Sequence, residues 1–357
     1  MTREDEIKSI EEEIAKTKYN KATQRHIGKL KARLARLHED VEKASSGKSY
    51  GPGFGVKKSG DATVLLVGFP SVGKSTLVNS ITNAQSKTAA YDFTTLNVVP
   101  GMLEYNGARI QVLDIPGMIS DAAKGAGKGR QVLSAVRNAD LIIFVLDKLG
   151  QFPLLQKELY DAGFRLDQKP PDVRIVKKET GGVNVNIAVK RARLSKESVR
   201  DILAEFRLHN ADVIVRQDIN EDQLIDAILK NRLYIPSVKV LNKIDRMDRE
   251  FLAAVPKGYV KISAGQGRNL GELKEAVWKK LGLLRIYLKP MGKEPDMKDP
   301  LIMKAGATVM DVGRKILRGQ EKYFKYARIW GPSARFPEQK VGAEHRLKDG
   351  DIVELHA

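Results

Sequence analysis

The stretch that decides the fold is Gly68-Phe69-Pro70-Ser71-Val72-Gly73-Lys74-Ser75. Its glycine, lysine and serine have the spacing of a phosphate loop. The apolar run Thr63–Val67 precedes the loop and the helix-like Ser75–Ile81 follows it, which is the context that the motif requires. Glycines let backbone N–H groups turn toward phosphates, and a helix N-terminus adds positive potential. We therefore expect nucleotide phosphates to bind here.

Single positions of the loop have separate expected roles. Lys74 is expected to reach the β- and γ-phosphates, and Ser75 to bind Mg²⁺ through its hydroxyl. Further nucleotide contacts are predicted at Pro70, Ser71, Val72, Gly73 and Thr76. An ATPase would use the same residues, so this motif leaves the base undecided.

A second motif, Asp114-Ile115-Pro116-Gly117, follows the apolar run Ile110–Leu113. Ligands of open α/β sheets bind at the carboxyl ends of the strands, so Asp114 is predicted to be a magnesium carboxylate that contacts the ion directly or holds one of its other ligands. The Gly117 N–H is predicted to donate to the γ-phosphate. Taken alone, Asp-x-x-Gly is also the sequence of an ordinary turn.

Tyr91-Asp92-Phe93-Thr94-Thr95 lies between these two motifs. A switch loop at this place would supply a threonine to Mg²⁺ only in the triphosphate state. Thr95 is preferred over Thr94 for that role, and a threonine-rich strand is the alternative interpretation. Lys74, Thr95 and Gly117 are together the predicted catalytic residues.

The base is indicated by Asn242-Lys243-Ile244-Asp245, which follows the apolar run Val238–Leu241. The Asp245 carboxylate can accept hydrogen bonds from both N1–H and the exocyclic amine of guanine, and adenine lacks that donor pair. A buried carboxylate left unpaired makes the discrimination steep. Ser263-Ala264 is expected to present the Ala264 N–H to guanine O6. The order of these signals predicts a GTP-binding protein and disfavours an ATPase or kinase.

Two features bear on the rate of hydrolysis. Met118 follows Gly117, where many GTPases place a glutamine that orients the attacking water. We therefore expect slow intrinsic turnover, with water placed by backbone, a neighbouring side chain or a partner. The glycine-rich, basic Lys124–Arg130 is predicted to be a second switch loop, with a solvated loop as the alternative.

Composition narrows the class of protein. The chain has 357 residues, is 42% hydrophobic and contains no cysteine, so disulfides and thiolate chemistry are excluded. The longest apolar run, Leu141–Leu146, is too short to cross a membrane, and the acidic N-terminus does not resemble a secretory signal. These features predict a cytoplasmic protein. A net charge of +18 indicates a polyanionic partner such as RNA or a ribosome, or else a Lys/Arg-rich, thermophile-like surface.

The apolar pattern divides the chain into segments. Two stripes at helical spacing near the N-terminus predict a helical hairpin; they consist of Ile7, Ile10 and Ile14, and of Ile27, Leu30, Leu34, Leu37 and Val41. The strand before Asp147 and the next sheet strand lie about 95 residues apart, so an insert is predicted between them. The predicted segments are a hairpin (1–50), a linker (51–60), a doubly wound α/β domain (61–167 and 233–288), an inserted α+β lobe (168–232) and a β-rich domain (289–357).

Basic residues accumulate in two of these segments. Eight cations and no acid stand between Lys16 and Arg36, a face that suits either solvent or RNA. In the C-terminal domain, cations are interleaved with Tyr323, Phe324, Tyr326 and Trp330, which suits either single-stranded RNA or a small core. The five histidines show no metal-ligand spacing.

With these motifs the chain resembles the developmentally regulated GTP-binding proteins, relatives of the Obg GTPases. The resemblance spans nearly the whole chain and is most specific at the phosphate loop, Asn20–Thr23, Tyr91–Leu96 and Gly129–Val132. It implies a lobe like ribosomal-protein S5 domain 2, a C-terminal TGS domain of β-grasp type, and a GTPase that works without the usual glutamine. Some related GTPases use K⁺ through a phosphate-loop asparagine, and Ser71 at that position argues against this cofactor.

The resemblance also implies a function linked to translation. The leading hypothesis is a slow GTP switch whose GTP- and Mg²⁺-bound state is recognised by a ribosome or RNA through the basic flanking domains. The alternative is an RNA-binding assembly factor whose nucleotide site gates affinity with little turnover.

Overall fold

The structure, a computed structural model, describes residues 3–45, 59–82, 99–114, 139–317, 319 and 323–356. The chain divides into two compact units. Unit 1 comprises residues 1–53 and 163–234, and unit 2 comprises residues 54–162 and 235–357. The domain boundaries inferred from the sequence stay predictions.

Helices and strands are numbered here in chain order. The helices are α1 (Arg3–Lys16), α2 (Gln24–Ser45), α3 (Lys74–Ile81), α4 (Gln151–Asp161), α5 (Lys196–Glu205), α6 (Glu221–Leu229), α7 (Arg249–Ala254), α8 (Leu270–Leu281) and α9 (Val309–Leu317). The strands are β1 (Ala62–Val67), β2 (Val99–Tyr105), β3 (Ala108–Asp114), β4 (Leu141–Leu146), β5 (Phe164–Leu166), β6 (Val173–Lys177), β7 (Val183–Ile187), β8 (Ala211–Val215), β9 (Leu233–Ile235), β10 (Ser237–Leu241), β11 (Tyr259–Lys261), β12 (Leu283–Leu288), β13 (Asp296–Lys304), β14 (Tyr326–Trp330), β15 (Gln339–Val341) and β16 (Asp351–His356).

A six-stranded sheet in the order β11-β10-β4-β1-β3-β2 forms the centre of unit 2. Neighbouring strands are parallel except for the edge strand β2, which runs antiparallel to β3. Every residue of β1 and β4 is buried, as expected for parallel strands covered by helices. This sheet contains the apolar runs Thr63–Val67, Ile110–Leu113, Leu141–Leu146 and Val238–Leu241, and the predicted doubly wound fold is confirmed.

In unit 1 the helical hairpin packs against a small α+β lobe. Within the hairpin, Ile10 packs against Leu30 and Leu37. The lobe has a three-stranded sheet in the order β6-β8-β7, packed with α5 and α6. Ala32 of α2 is fully buried in the core of that lobe. The hairpin and the lobe were predicted as separate segments, because helical periodicity shows that a face is apolar without showing which distant segment covers it.

The basic face predicted on α2 proves to be largely engaged. Ion pairs to the lobe join Lys31 Nζ to Asp222 Oδ2 at 2.7 Å, and join Arg25 and Lys29 to Asp201. An Arg36 guanidinium nitrogen donates to the Glu205 carbonyl at 2.5 Å. Lys16 and Arg33 pair with acids of α1. These six cations are therefore paired within the chain, and the two remaining ones lie in the loop between the helices. Whether this face contacts RNA stays a prediction.

The C-terminal sheet has the order β13-β12-β16-β14-β15 and packs its core against α9. Phe324 packs against this core, whereas Tyr326 and Trp330 alternate in β14 with its buried residues and so lie on the other face. There the Tyr326 ring stacks on His356, with centroids 4.3 Å apart, and Lys289 lies 5.1 Å from the Trp330 ring centroid. The aromatics of this segment therefore divide between core and surface.

None of the helices in the described part of the chain is long and apolar enough to cross a membrane.

A substitution at Ala32 tests the packing of α2 on the lobe. Ala32→Asp places a carboxylate where the side chain has no exposed surface, so we expect a loss of roughly 3 kcal/mol or more in the stability of this unit. Thermal and urea unfolding measure it. Ala15→Asp, on the exposed face of α1, is the matched control and is expected to stay close to wild type. Equal unfolding of both variants and wild type would show that α2 does not pack on the lobe.

Candidate functional site

The described residues predicted to bind nucleotide gather at one edge of the six-stranded sheet. β1, β3, β4, β10 and β11 are parallel, so their carboxyl ends share that edge. Asp114 ends β3, and the segments that follow the other four strands contain the phosphate loop, Asp147, Asn242 and Ser263. The fold thus unites residues that are up to about 195 positions apart in the sequence.

The phosphate loop needs its two glycines because other atoms approach closely. A Cβ at Gly68 would lie 2.3 Å from the Val145 carbonyl oxygen, and a Cβ at Gly73 would lie 2.5 Å from Asn242 Nδ2. Gly73 has a φ of 96°, and Ser71 adopts the left-handed region with a φ of 63°, which is uncommon for a residue with a side chain. The bend of the loop is therefore maintained by contacts with neighbouring segments.

Lys74 is the first residue of α3, and its ammonium group points back into the loop. Its Nζ donates to the carbonyl oxygens of Gly68 at 2.9 Å and Phe69 at 3.0 Å. Burial lowers the pKa of Lys74, while the charge of Asp114 acts in the opposite direction. A cation thus lies at the start of a helix, where a phosphate is stabilised most.

Ser75 and Asp114 form a pair beside that lysine. Ser75 Oγ donates to Asp114 Oδ2 at 2.9 Å. Asp114 is 3% exposed, and its buried Oδ1 has no hydrogen-bond partner among the described residues. A buried carboxylate oxygen without a partner is costly. The pair therefore has one oxygen available for a cation or a donor.

Asn242 joins the phosphate loop to the loop that contains Ala264. Its Nδ2 donates to the Val72 carbonyl at 2.9 Å, and its Oδ1 accepts from the Ala264 N–H at 2.9 Å. Val72 is itself buried, and Asn242 is 2% exposed. The Ala264 N–H predicted to meet guanine O6 is thus engaged by Asn242, so a bond to O6 would require it to be shared or released.

Lys243 makes a second link to the phosphate loop. Its Nζ donates to the Ser71 carbonyl at 2.6 Å and to Asp147 Oδ2 at 2.9 Å. Both lysine and serine have left-handed backbone conformations, with φ values of 61° and 63°. One hydrogen bond therefore connects two residues whose conformations carry strain.

Asp147 and Gln151 were missed in the sequence analysis. Gln151 Nε2 donates to Asp147 Oδ1 at 2.8 Å, and Gln151 Oε1 accepts from the Asp147 N–H at 3.0 Å. Burial acts to raise the pKa of Asp147, but hydrogen bonds from Lys243 and Gln151 outweigh it and lower this pKa below its usual range. Its position in the sequence could have predicted it as a site residue, because Asp147 directly follows β4 and the predicted site residue Asp114 ends β3.

Asp245 is held by the loop after β11. Its Oδ1 accepts from Ser263 Oγ at 2.5 Å, and its Oδ2 lies 3.8 Å from Arg246 Nε. The hydrogen bond from Ser263 is the main reason that the pKa of Asp245 lies below its usual value. The carboxyl group is thus fixed as an ionised hydrogen-bond acceptor.

The other predicted positions are less informative. Pro70, Ser71 and Thr76 are exposed on or beside the loop, and the Thr76 carbonyl accepts from Ser80 Oγ at 2.7 Å. Several predicted residues lie outside the described residues, namely Thr95, Gly117, Met118 and Lys124–Arg130. Their roles stay predictions.

Replacing Asn242 tests its structural role. Asn242→Ala removes the partner of two backbone groups, Val72 O and Ala264 N, so we expect a loss of about 1 to 3 kcal/mol in the free energy of unfolding. The measurement is chemical unfolding without added nucleotide. Asn186→Ala, in a strand but exposed, is the control and is expected to change little. Unchanged stability of Asn242→Ala would show that the two bonds contribute nothing to the fold.

Known protein families match most of the chain beyond the site itself. Residues 63–178 match the family described as "50S ribosome-binding GTPase". Residues 180–283 match the "C-terminal region of MMR_HSR1 domain", and residues 284–357 match the TGS domain.

Relatives match over nearly the full length. A GTP-binding protein of Methanocaldococcus jannaschii, named as uncharacterized, is 53% identical, with 99% of this chain and 92% of that protein covered. Developmentally-regulated GTP-binding protein 1 of Xenopus laevis is 44% identical (98% and 97% covered), and Developmentally-regulated GTP-binding protein 2 of Homo sapiens is also 44% identical (98% and 98% covered). With this identity across a GTPase domain and a TGS domain, the chain belongs to the developmentally regulated GTP-binding proteins, a family of GTPases.

Proposed function

We propose that this GTPase is a slow molecular switch whose GTP-bound state is recognised by a ribosome or RNA. The proposed binding and hydrolysis of GTP rest on the cluster of residues at the sheet edge. Lys74, Ser75 and Asp114 lie at the phosphate loop, and Asn242 links that loop to the base-reading segment. The proposed recognition by a ribosome or RNA is supported by the net charge of +18 and by the description of the family that residues 63–178 match.

The residues at the phosphate loop fit a magnesium ion. The unpartnered Oδ1 of Asp114 and the hydroxyl of Ser75 are hard oxygen donors, the type that Mg²⁺ prefers. We propose these two as its protein contacts, with Thr95 added from its place in the sequence. When bound, Mg²⁺ would neutralise charge on the β- and γ-phosphate oxygens.

Catalysis in this proposal depends on charge and position. The Lys74 ammonium stabilises the negative charge that grows on the phosphate oxygens during hydrolysis, and the Gly117 N–H adds a donor to the γ-phosphate. Met118 cannot orient water as glutamine does, so unassisted hydrolysis is slow. Loss of the γ-phosphate releases the loops that contain Thr95 and Gly117–Arg130, which changes the surface available to a partner.

Base recognition is assigned to Asp245. In the Asp245→Asn variant the amide can donate to the C2 oxygen of xanthine, whereas it repels the guanine amine. We expect guanine nucleotide affinity to fall by about 1.5 to 3 kcal/mol, the cost of breaking a hydrogen bond to a charged group, and xanthine nucleotide affinity to rise. Titrations with GDP and XDP measure both. Asp248→Asn, three residues away, is the control. Unaltered GDP affinity in Asp245→Asn would remove Asp245 from the base site.

Phosphate release with and without ribosomes separates the switch from the assembly factor. We expect multiple turnovers that are slow alone and at least about tenfold faster with ribosomes, since a partner supplies the water-orienting function that Met118 lacks. Lys74→Ala is the inactive control. Absence of stimulation by ribosomes or RNA, together with nucleotide-dependent ribosome binding, would instead favour the assembly factor that gates affinity with little turnover.

A further inference from the structure

The loop between α1 and α2, residues 17–23, is closed by its own side chains. Asn20 Oδ1 accepts from the N–H groups of Ala22 at 2.9 Å and Thr23 at 3.0 Å. Thr23 Oγ1 accepts from the Asn20 N–H at 3.0 Å and donates to the Lys18 carbonyl at 2.6 Å. The backbone that presents Lys18, Tyr19 and Lys21 is therefore restrained.

This loop lies against a second segment of the same unit, residues 188–196, which follows β7. Gln24 Nε2 donates to the Arg193 carbonyl at 3.1 Å. The Tyr19 hydroxyl donates to Glu221 Oε1 at 3.0 Å, at the start of α6. Burial and this hydrogen bond raise the pKa of Tyr19, and the charge of Arg193 acts in the opposite direction. These contacts place the two segments side by side on the surface of unit 1.

Six exposed cations belong to this surface, which we call the basic patch: Lys18, Lys21, Lys190, Arg191, Arg193 and Lys196. Arg193 pairs with Asp218 at 3.1 Å. In the part of the chain that the structure describes, no carboxylate lies within 4.0 Å of the other five. The cations of α2 behave differently, since Arg25, Lys29 and Lys31 all have carboxylate partners on the lobe. The fold neutralises one set of cations and leaves the other available.

Tyr19 distinguishes the patch from a merely solvated basic surface. It is 59% exposed although its hydroxyl is held by the buried Glu221. An exposed aromatic ring with a fixed hydroxyl, in a loop that also contains Lys18 and Lys21, suits a stacked nucleobase beside phosphates. An acidic protein could bind the cations, but it has no bases to stack on the Tyr19 ring.

We propose that the basic patch binds single-stranded RNA, with the cations on the phosphodiester backbone and Tyr19 on an unpaired base. The proposal rests on the ribosome or RNA role proposed above and assigns that role to particular residues. It does not involve the GTP site, whose residues belong to unit 2.

The test is RNA binding by a variant with four neutral residues, Lys18→Gln, Lys21→Gln, Lys190→Gln and Arg191→Gln. Binding of a fluorescent ribosomal-RNA fragment and of whole ribosomes is measured at several salt concentrations. If all four contact phosphates, the slope of log affinity against log salt falls by about 3 for single-stranded RNA. We expect affinity at low salt to fall about tenfold or more.

A matched variant removes the same charge elsewhere in unit 1: Lys169→Gln, Arg174→Gln, Lys177→Gln and Lys230→Gln. β6 is the opposite edge of the three-stranded sheet from β7, which leads into the patch. This control is expected to retain most of the affinity. Tyr19→Ala is expected to weaken binding about tenfold and Tyr19→Phe much less, since stacking needs the ring and not the hydroxyl. Unchanged GDP binding and unfolding midpoints confirm that the variants are folded.

The outcomes separate this proposal from the broader one. A wild-type chain that binds neither ribosomes nor RNA overturns both. If the wild type binds RNA and the patch variant binds it equally well, the basic patch is not the binding site. The same conclusion follows if both quadruple variants lose affinity equally, and in either case the ribosome role is unaffected. Loss of ribosome binding with intact binding of the RNA fragment also overturns it, because the occupant is then a ribosomal protein.

Discussion

The site depends on the buried amide of Asn242, which joins two loops that are far apart in sequence. Its two ends bond to the Val72 carbonyl and to the Ala264 N–H, and the close approach of Nδ2 requires glycine at position 73. An amide has a donor at one end and an acceptor at the other, so one side chain satisfies both backbone groups. The phosphate loop and the base-reading loop are therefore not independent elements.

Lys243 and Asp147 extend this connection across the sheet edge. The lysine bonds the Ser71 carbonyl, and Asp147 fixes the lysine with help from Gln151. Ser71 keeps a left-handed backbone because neighbouring contacts hold it there. The chain thus uses β1, β4 and β10 together to shape one loop, which explains why an alteration after β10 is expected to affect phosphate binding after β1.

The buried strands and the position of the site were predictable from local sequence, whereas the contacts between distant segments were not. Continuous apolar runs such as Leu141–Leu146 identify buried parallel strands, and motifs directly after them identify the sheet edge. Packing of α2 on the inserted lobe was missed because Asp201 and Asp222 are more than 150 residues away along the chain and carry no local sign of their partners. Asp147 was missed because a single carboxylate after a strand is not a motif. The engagement of the Ala264 N–H by Asn242 is a matter of geometry that residue types do not reveal.

Asn242 is thus expected to shape the phosphate loop as well as the base site. Titration with magnesium tripolyphosphate, which has phosphates but no base, tests it most directly when wild type, Asn242→Ala and Asp245→Asn are compared. We expect Asn242→Ala to weaken the binding of tripolyphosphate as well as of GTP, and Asp245→Asn to weaken the binding of GTP alone. Wild-type affinity for tripolyphosphate in Asn242→Ala would contradict it.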